Sequence, residues 1–445
     1  MTKARLSLSD HFNAGRLLRF SFPSIVMMVF TSIYGVVDGF FVSNYVGETP
    51  FAAINLIMPF LMIFSGIGFM IGTGGSALVS KTLGEGDRKR ANELFSLMIA
   101  ATVVSGAAVT VLGEIFLPDV AILLQANEEM LPYCVRYGRI ILLGLIPFML
   151  QNTFQAFFVT AEKPKLGLYV TVLAGVTNMV ADALFVGLFR WGVIGAALAT
   201  VLSQVVGGVI PFLYFAFPNS GLLRFTRMHF DGKALFKACT NGSSELMSNI
   251  SMSLVNMLYN IQLMKYLGEA GVAAFGVIMY VTFVFISIFL GYTIGTAPII
   301  GFHYGAGNRE ELHGILRNSL WIMAAGILLM TGLSESLSTV MCGMFVGYNE
   351  ELLILTTHAF RLYCLHFLLA GFNIFASSFF TALNNGLVSA VISFLRTLVF
   401  QVAAILLLPL IIGADGIWLA VDAAEFFAFT VSVFFLVKMR KRYGY

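Results

Sequence analysis

The chain has 445 residues, 58% hydrophobic and only 11% charged; soluble domains carry about 25% charged residues, so a water-soluble fold is excluded. A formal net charge of +3, with Lys and Arg in short scattered runs, gives no footprint for a nucleic-acid partner. Cys134, Cys239, Cys342 and Cys364 show no CxxC spacing, and the six histidines form no HExxH pattern, so no metal site, redox chemistry or hydrolase is expected.

The first 19 residues are polar and charged, without the apolar stretch and cleavage site of a removable signal peptide. Twelve apolar runs then predict an all-α polytopic membrane protein, with spans over 20–45, 51–80, 92–117, 132–159, 166–189, 193–217, 236–264, 272–302, 314–340, 352–381, 387–411 and 414–437. Each is long enough to cross a bilayer, for which about 20 residues suffice. The first span carries one full charge, Asp38, between Val36-Val37 and Phe40-Phe41. A carboxylate in hydrocarbon costs roughly 2.5–3.5 kcal/mol on insertion scales, so such a residue faces a protein interior or cavity. Exclusion of water disfavours the ionised form, which makes Asp38 a candidate proton carrier. Pro23 and Gly35 in the same span are candidate hinges. Gly72, Gly74 and Gly75 of the second span lack a following Gly-Lys-Ser/Thr and are read as helix-packing residues.

With the N-terminus inside, the inward segments carry 20 of the 26 basic residues, from Lys3, Arg5, Arg16 and Arg19 to Lys438, Arg440, Lys441 and Arg442. The opposite loops 118–130 and 347–352 are acidic. The positive-inside rule then places both termini in the cytoplasm.

An internal repeat organises the chain. Tyr45-Val46-Gly47-Glu48 returns as Tyr266-Leu267-Gly268-Glu269, an offset of 221 residues. The same offset carries Gly84, Gly86 and Arg88 onto Gly305, Gly307 and Arg309, and Asn152, Phe154 and Phe158 onto Asn373, Phe375 and Phe379. Two homologous six-helix lobes are expected, 1–217 and 236–445, joined by a cytoplasmic linker over 218–235. Six spans per half give a parallel repeat, an arrangement that holds substrate between halves and rocks them.

The first span, the glycine-rich second span (GIGFMIGTGGSALVSKTLGEGDRKRA), and the pattern from Asn178 and Asp182 to GAALAT ending at Thr200 resemble the multidrug and toxic compound extrusion (MATE) family. The likeness is greatest to its DinF-like branch and covers nearly the whole chain. The resemblance implies a V-shaped pair of lobes exporting organic, often cationic compounds against inward H+ or Na+. It also implies a cation-coupling site of Asp38, Asn178, Asp182 and Thr200. Asn178 and Asp182 are four apart and share a helix face. Under the 221 offset Asp38, Asn178 and Asp182 become Tyr259, Val399 and Ala403, so coupling is expected in the N-lobe alone.

The second half keeps Glu245, Arg396, Asp422 and Glu425 within its spans. A buried ion pair or triad is the expected resolution, centred on Glu245 with Arg396; a substrate-binding Glu245 is the alternative. The 43 Phe and 21 Met offer adaptable lining for a permissive cavity. The expectation is a monomeric antiporter of the cytoplasmic membrane, neither enzyme nor cofactor-bound, taking small organic substrates. A lipid-linked oligosaccharide or lipid-precursor flippase of the same superfamily is the second reading.

Overall fold

The computed structural model describes residues 6–219 and 221–445, apart from the side chain of Glu48; Lys3, Arg5 and Ser220 lie outside the described residues. Each apolar run is helical, since hydrocarbon offers the backbone no partner but itself. The first half contains α1 (Ala14–Tyr45), α2 (Glu48–Gly84), α3 (Arg88–Leu123), α4 (Leu131–Leu143 and Leu145–Thr160, bent by 52°), α5 (Pro164–Leu188) and α6 (Gly192–Ala216). The second contains α7 (232–267), α8 (269–305), α9 (Arg309–Val346), α10 (Glu350–Cys364 and Phe367–Ala382, bent by 46°), α11 (Gly386–Ile412) and α12 (Asp415–Tyr443).

Helices α7 and α8 form one hydrogen-bonded run of 74 residues, roughly 110 Å if straight against about 30 Å of hydrocarbon. The run folds back instead. Gly268 has φ 66° and ψ −155°, and Tyr259 stacks on Phe275 with ring centroids 4.7 Å apart. Counted as two, this hairpin completes twelve spans among the described residues.

Several helices start before the hydropathy boundaries: α1 at Ala14 rather than 20, α7 at 232 rather than 236, α9 at Arg309 rather than 314. Side-chain caps explain the extra turns. Asn13, Asp231 and Asn308 accept from the amides of Arg16, Ala234 and Glu311, so each helix continues into the charged interface where hydropathy has already fallen.

The repeat persists in backbone conformation. Gly47 and Gly268, Gly86 and Gly307, and Gly192 and Gly413 all take positive φ, where a side chain would be strained. The bends of α4 at Gly144 and α10 at Leu365 are also 221 residues apart.

The two halves meet backbone to backbone at the end of the bundle that carries both termini, here termed the basic end. A Cβ on Gly84 of α2 would fall on the Phe302 carbonyl of α8, and one on Gly305 of α8 on the Lys81 carbonyl of α2. These contacts are images of each other under the 221 offset. A second such pair joins Gly74 to Ala238 and Gly242 of α7, and Gly295 to Ser21 of α1. Small residues permit this approach, as in other membrane helix pairs.

The segment before α1 adds a strap across the same end. Ser7 Oγ and the Leu8 amide donate to Glu162 Oε1 of the first half (2.6 and 2.7 Å). Four residues on, the Phe12 amide donates to Glu311 Oε1 of the second half (2.6 Å), and His11 Nδ1 lies 2.7 Å from Glu311 Oε2. The linker packs on the first half: Arg88 donates to the Gly221 and Leu222 carbonyls, and Arg90 pairs with Asp231.

These contacts generate a prediction. With the native cysteines replaced, a probe cysteine in place of Ser80, which is fully buried beside Gly301, should resist a water-soluble maleimide. Adding Gly84→Ala should separate the halves at the basic end and make the probe label several-fold faster. Unchanged labelling in a protein that still purifies as a folded species would show that this contact does not hold the end shut.

Candidate functional site

Helix α1 is unbroken from Ala14 to Tyr45, with Pro23 inside it. It crosses α5 closely because Gly175 has no side chain: a Cβ there would stand 2.5 Å from Phe30 Cε1 and 2.8 Å from Tyr34 Cδ1. That crossing sets Asp38, one turn beyond Tyr34, against Asn178 and Asp182, one and two turns beyond Gly175. The two carboxyls face each other with the Asn178 amide alongside. Asp182 is fully buried and Asn178 nearly so, at 0% and 2% exposed.

Asp38 Oδ1, Asn178 Oδ1 and both Asp182 oxygens are shielded from solvent and have no hydrogen-bond partner. The site thus gathers two carboxyls and an amide oxygen with no Lys or Arg paired to them among the described residues. Such a set suits a proton relay or a small hard cation. Thr200 of α6, the fourth residue of the expected site, donates to the Ala196 carbonyl at 3.1 Å. Its lone pairs remain, but its proton is used within its own helix. A π-helical turn, Ala183–Leu188, begins immediately after Asp182; such turns often accompany functional residues.

Sequence reasoning missed three neighbours. Tyr34 lies close to Asp38 and to Gln151 of α4, and Tyr137 of α4 lies close to both carboxyls. Tyr34, four residues before Asp38, could have been found from helical spacing. Gln151 and Tyr137 carry no local signal, because only the bend of α4 brings them to α1. Around Gly35 there is open space, with no atom within 4 Å of the point where a Cβ would stand, so α1 has room to move there.

In the second half, Arg396 Nε pairs with Glu425 Oε1 at 2.7 Å, which corrects the expected pairing of Glu245 with Arg396. Glu425 also accepts from Asn373 Nδ2 at 2.6 Å, and Asn373 Oδ1 accepts from Ser432 Oγ at 2.9 Å. Helices α11 and α12 are consecutive neighbours, so Glu425 meets Arg396 with hydrogen bonds that also satisfy its second oxygen. Glu245 is partly buried and within electrostatic reach of Arg396, but no ion pair joins them among the described residues.

The crossing at Gly175 gives the site's structural prediction. Gly175→Ala should push Phe30 and Tyr34 away and cost about 1–3 kcal/mol of stability by overpacking. Phe30→Leu in the same protein should recover part of the loss. Thermal denaturation checks both; an unperturbed single variant would mean that α1 does not rest on α5 here.

With this geometry in view, the comparisons with known proteins are specific. The MatE family profile matches residues 23–184 and again 246–406, one match in each half. The multidrug export protein MepA of Staphylococcus haemolyticus is 20% identical over 430 residues, covering 96% of this chain and 94% of its own. A crystal structure of MATE in complex with MaL6 superposes with a TM-score of 0.92 at 22% identity, covering 100% and 99% of the two chains. An outward-facing multidrug resistance MATE family transporter of the MOP superfamily gives 0.91 at 21% identity, covering 100% and 99%. The double match and the shared two-lobed fold establish that the chain belongs to the MATE family, a membrane transporter and not an enzyme.

Proposed function

We propose that the protein is an antiporter of the cytoplasmic membrane, acting as a monomer with both termini and the 218–235 linker in the cytoplasm, that exports organic cations in exchange for H+ or Na+. The observation that carries this reading is the pair Asp38 and Asp182 beside Asn178, with Asp38 Oδ1 and both Asp182 oxygens shielded from solvent and without a partner. Two carboxyls sharing a dry site cannot both ionise cheaply, so an incoming proton or sodium ion is held there. Its arrival removes repulsion between α1 and α5, and its loss restores it. Helix α1 is the moving part, flexing at Pro23 or Gly35, with Thr200 completing the oxygen set when a cation is bound.

The ion shifts the balance of conformations only by its differential affinity for them. A tenfold difference supplies about 1.4 kcal/mol. The backbone contacts at Gly84 and Gly305 close the basic end, which supports reading this conformation as open to the opposite side. Glu245, left without an ion-pair partner, is free to attract a cationic substrate, in keeping with the multidrug export assigned to the MepA relative.

Two outcomes are expected in proteoliposomes. Asp38→Asn and Asp182→Asn should each fold and bind an organic cation dye yet lose at least tenfold in export driven by an imposed proton or sodium gradient; near-normal export by Asp38→Asn would remove α1 from the coupling step. Glu245→Gln should weaken cationic dyes roughly tenfold, about 1.4 kcal/mol, while sparing neutral ones. An equal loss for both classes would assign Glu245 a structural role.

A further inference from the structure

The internal repeat points to a further acid, with shielded carboxyl oxygens, that the N-lobe mechanism does not use. Asp422 lies on α12, seven residues beyond Asp415, about 10 Å below that end of the helix. Asp38 lies seven residues before Tyr45, at the corresponding depth on α1. The 221 offset places Tyr259 at the position of Asp38, and Val421, next to Asp422, at that of Thr200. The second half thus keeps an acid at the equivalent level, moved from the first helix of the repeat to the sixth.

The surroundings of Asp422 leave its charge unanswered. Both carboxyl oxygens are shielded from solvent and have no hydrogen-bond partner. Tyr259 of α7 is 1% exposed; its hydroxyl also lacks a partner and lies against the Val421–Asp422 segment. Tyr363 and Cys364 of α10 face the same carboxyl, as does Glu425 on its own helix. Arg396, the arginine of α11, is already held by Glu425, which is further satisfied by Asn373. An ionised Asp422 would therefore add a second negative charge beside Glu425 with nothing to balance it.

We infer that Asp422 is a second proton-binding site, with the unpartnered Tyr259 hydroxyl as its neighbour, so that each lobe carries one site and the coupling is not confined to the first. This adds to the antiporter reading, but its primary test does not require transport. In purified, lipid-reconstituted Asp38→Asn/Asp182→Asn protein, infrared spectroscopy at neutral pH should retain the carbonyl stretch of a buried protonated carboxyl. Asp422→Asn should abolish that band, Asp422→Glu and Tyr259→Phe should shift it, and Glu245→Gln should leave it in place. Asparagine mimics the neutral acid, so the variant should keep its melting temperature. A band that survives Asp422→Asn, or that vanishes from the parent on addition of sodium, would overturn the assignment. In gradient-driven export, Asp422→Asn should then lower the number of protons exchanged per substrate; an unchanged ratio would exclude a coupling role even where the acid is protonated.

Discussion

An ionised carboxyl in a dry helix bundle must find a cation, a set of donors or a proton, because the alternative costs several kcal/mol. The architecture of this transporter follows from how its two lobes meet that constraint. In the first lobe, α1 is drawn onto α5 across Gly175, and the crossing confronts Asp38 with Asp182 without supplying a fixed positive charge. The energy of that site therefore depends on what binds there. In the second lobe, Arg396, Glu425, Asn373 and Ser432 form a chain whose charges and polar atoms answer each other. The second lobe is braced at this pair, although Asp422 beside it is left without a partner.

The bracing extends to the contacts between halves. At the basic end, four glycines allow main chains to touch, in pairs related by the repeat, and the strap from Ser7 to Phe12 joins Glu162 of one half to Glu311 of the other. Leu8, Phe12, Leu17 and Phe20 of the first half also pack in one apolar cluster with Tyr292, Ile299 and Ile300 of the second, so rocking of the halves has to open side-chain packing as well as backbone contacts. On the antiport mechanism proposed above, that is the mechanical complement of an ion site whose occupancy would alter the packing of a single helix.

Much of this could be read from the residues. Apolar runs located twelve spans, and the 221-residue repeat reappears in the positive φ of Gly47 and Gly268, Gly86 and Gly307, and Gly192 and Gly413. Asn178 and Asp182 came from the resemblance to the MATE family, their four-residue spacing setting both on one helix face. The partner of Arg396 did not, because span order gives depth but not which helix faces which, and Glu245 and Glu425 lie within reach of similar depths. Tyr137 and Gln151 reach the acids only through the bend of α4, whose 52° no short motif encodes. Helix starts were placed late because hydropathy falls at the interface whereas capped backbone continues through it. The role of Asp422 was hidden for another reason: the repeat preserved a place in the lobe while moving the acid to a different helix.

On the proposed antiport mechanism, ion occupancy of the Asp38 and Asp182 pair and substrate binding are linked. Reciprocity requires that each ligand weaken the other by the same factor. Equilibrium binding of an organic cation dye to the purified protein, measured across proton and sodium concentrations with no membrane gradient, tests this most directly. The apparent affinity of the unmodified protein should fall as one of the two ions rises, and Asp38→Asn should remove most of that dependence while still binding dye. The same ion dependence in both proteins would contradict it.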